Sequence, residues 1–116
     1  TAGIATINEL KKLNKSNKLE KSCKVFEEKL ENLKRKHKNV IDFVSGKGMI
    51  GAIIFKKNSK LSSKKVADKV SYNCLKKGLL VVNTGRESIK LGPPLIITES
   101  QLKKSFKIID EAIREL

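Results

Sequence analysis

The sequence predicts an α+β domain: a small, largely antiparallel sheet with helices packed on one face, in the order α-α-β-β-α-β-β-α. Three observations carry this. Four segments repeat apolar residues at helical spacing, the second of them in alternating steps of four and three, as a one-sided helix requires. Two β-rich runs, Val40–Val44 and Met49–Phe55, are separated only by a glycine-containing turn. Glycine and proline then punctuate the second half into two further short strands and a capped helix.

Ile4, Ile7, Leu10 and Leu13 set the first helix, and Asn14 to Asn17 break it. It begins without an initiator Met, which reads as a truncated or a processed start. Leu19, Cys23, Phe26, Leu30 and Leu33 form the stripe of a second helix over residues 18–38, and His37 continues it. A lone histidine at a helix end is expected to cap carbonyls or sit half exposed. Ser45 to Gly48 joins the first two strands. Asn58 to Ser62 is a loop, and Ser62 or Ser63 caps a third helix bearing Val66, Ala67, Val70, Cys74 and Leu75. Gly78 after Lys76-Lys77 stops that helix. The unbroken apolar run Leu79–Val82 reads as a strand buried on both sides, and Ser88–Leu91 as another strand. Thr98-Glu99-Ser100-Gln101 is a capping box opening the last helix, whose inner face is Leu102, Phe106, Ile109, Ala112, Ile113 and Leu116.

A length of 116 residues fits one domain, residues 1–116. With 39% apolar and 33% charged residues the chain folds rather than staying disordered. Four Phe and one Tyr leave the core to Ile, Leu and Val. The net charge of +14 raises nucleic-acid binding as a reading. Arginines, the residues suited to bidentate phosphate and base contacts, are only Arg35, Arg86 and Arg114, and aromatic stacking platforms are scarce. The lysines read instead as solvated helix faces. Cys23 and Cys74 lie inside helices and are expected to be reduced and buried, in a cytoplasmic setting. No apolar run is long enough to span a membrane.

Gly46-Lys47-Gly48-Met49-Ile50-Gly51 matches G-x-G-x-x-G, but β-forming residues follow it where a phosphate-binding helix would have to open. The glycines are expected to serve a sharp turn with positive φ, or close backbone approach by a ligand or neighbouring domain. There is one histidine, and no cluster has nucleophile-base-acid or metal spacing. Glu87, beside Arg86 and Lys90, reads equally as a surface pair or a general base.

Three stretches, in order, carry a resemblance: Ser45-Gly46-Lys47-Gly48-Met49-Ile50-Gly51-Ala52-Ile53-Ile54-Phe55, Lys77-Gly78-Leu79-Leu80-Val81, and Ser88-Ile89-Lys90-Leu91-Gly92-Pro93-Pro94-Leu95-Ile96-Ile97-Thr98. They resemble the C-terminal small domain of class III pyridoxal-phosphate-dependent aminotransferases, the group of the 4-aminobutyrate, ornithine and acetylornithine enzymes. Thr1 to Leu13 is similar to the helix that opens that domain.

The resemblance implies a fragment whose large domain, with the Schiff-base lysine, the acid at the pyridine nitrogen and most phosphate contacts, lies outside these residues. It implies pyridoxal phosphate in the complete enzyme and none held by this chain alone. It implies the large domain and a homodimer as partners, with neither membrane nor nucleic acid. Catalytic, cofactor-binding and metal residues are expected to be absent here. What the resemblance does assign is a substrate-carboxylate contact at Lys90, where the ornithine and 4-aminobutyrate enzymes carry arginine, with Arg86 as a weaker candidate. The complete enzyme would move an amino group from an amino acid or ω-amine to a 2-oxo acid. Lysine keeps the charge but not the bidentate fork, which puts preference for glutamate or 2-oxoglutarate in doubt. Ser45 is a second departure, since the family often has arginine before the glycine turn. Two readings stand against it: a basic non-enzymatic module binding RNA or an acidic partner, and a structural remnant that packs through Ile4, Ile7 and Leu10.

Overall fold

A computed structural model describes residues 1–116. Its elements follow the order read from the sequence: α1 (Ala2–Lys15), α2 (Lys18–Lys36), β1 (Ile41–Lys47), β2 (Ile50–Phe55), α3 (Ser63–Lys76), β3 (Val82–Asn83), β4 (Ser88–Leu91) and α4 (Glu99–Arg114). The four strands form one antiparallel sheet in the spatial order β1-β2-β4-β3. α2 and α3 lie across one face, and α4 packs against both of them. The other face carries no helix. No helix is long and apolar enough to cross a membrane.

Pleating sorts the strand residues. Ile41, Ile53, Phe55, Ile89 and Leu91 point into the helices and are buried with Phe26, Leu30, Val66, Val70, Leu102 and Ile109. β1 carries one extra residue between Ile41 and Phe43, where the register against β2 shifts. That bulge turns Phe43 out, so that Ile41 is buried while Phe43 is exposed.

The helix ends follow the chemistry of their caps. Ser62 accepts the N–H of Lys65, and Thr98 and Gln101 close a reciprocal capping box on α4. α3 ends with Gly78 at φ +86; Leu79 N–H reaches Cys74 O at 2.9 Å and Gly78 N–H reaches Leu75 O at 3.0 Å, a Schellman closure. The buried Asn73 spends its side-chain N–H on Ala112 O at 3.2 Å, tying α3 to α4.

Three sequence expectations change. β1 runs on through Ser45, Gly46 and Lys47, so the loop to β2 shrinks to Gly48-Met49. Leu79–Val82 is not buried on both sides: Val81 is buried, but Leu80 is 82% and Val82 60% exposed. β3 is a two-residue edge strand, and nothing covers its outer face. Cys23 is only half-buried, whereas Cys74 is buried.

The glycines of the G-x-G-x-x-G stretch divide between two tasks. Gly48 takes φ +63 in the hairpin. Gly46 and Gly51 face each other across β1 and β2, directly beneath α2. A Cβ on Gly51 would stand 2.8 Å from Leu30 Cδ1 and 3.0 Å from the Phe26 ring. The close approach is therefore by this domain's own helix. Gly51→Val is expected to cost about 1–3 kcal/mol through overpacking, read as a lower midpoint in thermal denaturation; an unchanged midpoint would contradict it.

Candidate functional site

Lys90 is placed by β4, an inner strand of the sheet. Its register partners are Ala52 on β2 and Val82 on β3, and Ala52 in turn pairs with Ser45 on β1. Alternation puts Ser45, Ala52, Lys90 and Val82 in one row on the helix-free face, with Lys47 and Ile50 as the next pair along. Ser45, Gly46, Lys47, Ile50, Gly51, Ala52 and Lys90 line a shallow depression there. No carboxylate lines it. Lys90 is exposed and forms no ion pair within the chain.

The Gly92-Pro93-Pro94 turn follows β4 at the end of the sheet where Gly48 makes the β1–β2 hairpin. Ile97 N–H closes on Pro94 O at 3.0 Å, just ahead of the Thr98 cap. Behind the turn, an apolar cavity of about 340 Å³ lies among Phe26, Leu79, Leu91, Pro93, Leu102 and Phe106.

Arg86 sits at the opposite end of β4. The turn that carries it is tightly built. Asn83 Oδ1 accepts Gly85 N–H at 2.7 Å, Thr84 Oγ1 accepts Arg86 N–H at 3.2 Å, and Gly85 takes φ +74. Asn83 Nδ2 donates to Asp68 Oδ1 at 2.8 Å, anchoring the turn to α3. Arg86 itself projects into solvent with Nε 3.8 Å from Glu87 Oε2, a surface pair. Arg86 lies in the turn before β4, at the end of the strand away from Lys90 and the glycine hairpin. The fold brings Lys90 to the glycine hairpin and the proline turn, and holds Arg86 away from both.

The remaining reactive groups are structural. Burial pushes the Cys74 thiol up to about 11 against the opposing charge of Lys77, and burial followed by Glu27 raises Cys23, so both stay thiols at neutral pH. No three His, Cys, Asp or Glu side chains gather as a metal site. His37 is half-buried, and its ring pairs with a carboxylate instead of capping carbonyls. Its Nε2 lies 2.5 Å from Asp110 Oδ1, and Asp110 Oδ2 also accepts Lys36 Nζ at 2.8 Å and Arg114 Nη2 at 2.7 Å. This cluster joins the end of α2 to α4. Sequence spacing gave no sign of it, because its members lie 74 residues apart.

Pyridoxal phosphate requires an amine for its aldehyde, an acid at its pyridine nitrogen and a cradle for its phosphate. The open face does not fit that set: its lysines have no acid beside them, and no helix N-terminus lines it to cradle a phosphate. It fits one end of a small anion far better.

The family described as aminotransferase class-III matches residues 1–113. The acetylornithine aminotransferase of Caldanaerobacter subterraneus subsp. tengcongensis is 33% identical over 116 residues, covering 99% of this chain and 27% of the relative. The ornithine aminotransferase of Emericella nidulans is 32% identical over 115 residues, covering 99% of this chain and 25% of the relative. Among solved structures, the acetylornithine aminotransferase from Elizabethkingia anophelis superposes with a TM-score of 0.76 at 33% identity, over 93% of this chain and 25% of that one. The adenosylmethionine-8-amino-7-oxononanoate aminotransferase from Methanocaldococcus jannaschii gives 0.82 at 28% identity, over 98% and 26%. The chain spans about a quarter of the length of the curated relatives it matches. With nearly its whole length matched and the small antiparallel sheet shared, the chain belongs to the class III aminotransferases.

Proposed function

We propose that these 116 residues are the small, C-terminal domain of a transaminase, and that Lys90 holds a carboxylate of the amino donor or the 2-oxo acid acceptor. The observation that carries this is the placement of Lys90: a cation without a partner in the chain, on the sheet face that no helix covers, beside the glycine hairpin. Family membership supports the reaction class, and class III aminotransferases depend on pyridoxal phosphate. In this reading the cofactor, which carries the amino group between donor and acceptor, is held by a larger body of the same enzyme. That body covers the open face, and the complete enzyme works as a homodimer in the cytoplasm. Arg86 meets the substrate only if it extends toward the far end of β4.

A carboxylate between a covering domain and this sheet is shielded from water, so a charge-assisted contact there counts for more than on the bare surface. Lys90→Ala in the complete protein is expected to raise KM for the oxo acid about tenfold, with kcat changed by less than about twofold. Steady-state kinetics with varied oxo acid checks this, and an unchanged KM would remove the role.

A further inference from the structure

A single ammonium is a point donor, while a carboxylate presents two oxygens. Lys90 alone therefore leaves one oxygen of a bound carboxylate unanswered. The structure places a second ammonium on the same floor. Lys47 ends β1 opposite Ile50, two residues along β2 from Ala52, the partner of Lys90. Two strand spacings and that two-residue offset put the Lys47 and Lys90 backbones about 12 Å apart. Both residues line the one depression, and each ammonium rides on a flexible four-carbon stem that can turn over Ala52.

The chain supplies no anion of its own for Lys47. No ion pair engages it, and the depression is lined by no acid. Glu27, the carboxylate nearest the hairpin, accepts the Gly48 N–H at 3.2 Å. The floor is also rigid, because Gly46 and Gly51 are pressed against Leu30 and Phe26 from behind. Ser45 and Ala52 are small and leave the path over Ala52 open, while Ile50, the register partner of Lys47, is the one bulky side chain beside it.

We propose that Lys47 is the second cation of the carboxylate site, so that Lys47 and Lys90 each take one oxygen of the same substrate carboxylate. Together they do what a single guanidinium fork would do at either position. This inference rests on the Lys90 reading above and adds a residue to it.

The test is a cycle of variants in the complete protein, with 2-oxoglutarate as the probe and both its calorimetric Kd and its KM as readouts. Lys47→Ala and Lys47→Gln are expected to weaken binding about tenfold, and Lys47→Arg to hold it within about twofold. In a Lys90→Arg background, where the guanidinium reaches both oxygens, Lys47→Ala should cost less than about twofold. Circular dichroism of each variant confirms the fold. Equal losses from Lys47→Ala with and without the Lys90→Arg substitution would overturn the sharing. Loss with Lys90→Ala but not with Lys47→Ala would overturn this inference and leave the Lys90 reading standing. No effect of either, or no binding by the unsubstituted protein, would overturn both.

Discussion

Phe26→Ala lowers the stability of the chain by about 3–5 kcal/mol, a large share of the roughly 5–15 kcal/mol that holds a domain of this kind folded. Phe26 is fully buried on the inner face of α2. Its ring meets Phe106 of α4 edge to face, with centroids 5.7 Å apart, and lies against the backbone of Gly51 on β2. One side chain thus joins both helices to the sheet. The ring also walls the apolar cavity behind the proline turn, so its removal enlarges an existing void that the rigid glycine floor cannot fill. The lost aromatic pair adds about 0.5–1.5 kcal/mol to the lost burial. Urea denaturation should show a lower midpoint with an unchanged slope. A loss under about 1 kcal/mol would mean that the core collapses around the gap.

The second large effect is at Asp110, and it depends on pH. Its side chain is mostly buried and faces Lys36 and His37 at the end of α2 and Arg114 one turn along α4. Burial pushes its carboxyl up, but the hydrogen bonds from Lys36 and His37 and the charges of Lys36 and Arg114 outweigh that, and the net direction is down. A carboxyl depressed by folding stabilises the fold above its unfolded value, and the benefit is lost as pH falls through the folded value. Asp110→Asn is therefore expected to cost about 1–3 kcal/mol at neutral pH, since Lys36 and Arg114 can turn to water while the half-buried His37 ring loses its carboxylate partner. The difference in Tm between parent and variant should be full above about pH 5 and narrow as the pH falls below that. A difference that stays constant on further acidification would rule out the carboxylate as its source.

Much of this architecture is written locally. The stripe Phe26, Leu30, Leu33 and the Thr98–Gln101 capping box each need only a few neighbouring residues, and both stand where the sequence places them. β3 failed for a related reason. A short apolar run looks the same whether its strand is covered on both faces or on one, and only the packing of the helices on a single side of the sheet decides which. Phe43 shows the same limit, because one bulge residue reverses its face without altering the apolar pattern. Lys90 was legible through a motif, whereas Lys47 looked like an ordinary turn lysine until its register against Ile50 was known. Counting alternate residues outward from the two-residue loop would have placed it on the face of Ser45, though not beside β4, which pairs with β2 from far downstream in the chain.

α1 behaves as a separate unit in the energetics of the chain. Among the helices and strands it touches only α2, it buries no residue, and Asn17 in a left-handed conformation hinges it from its neighbour. The result is a body 51 Å long but only 28 by 23 Å across. Melting α1 exposes little that is not already exposed, so its unfolding is uncoupled from the cooperative transition of the sheet and the three packed helices. Its helicity rests mainly on length and propensity, and a 14-residue helix is marginal on those terms. In this chain the order of the first helix is therefore open to tuning by anything that packs on Ile4, Ile7 and Leu10, while the Lys90 face of the sheet is held by a core that does not depend on them.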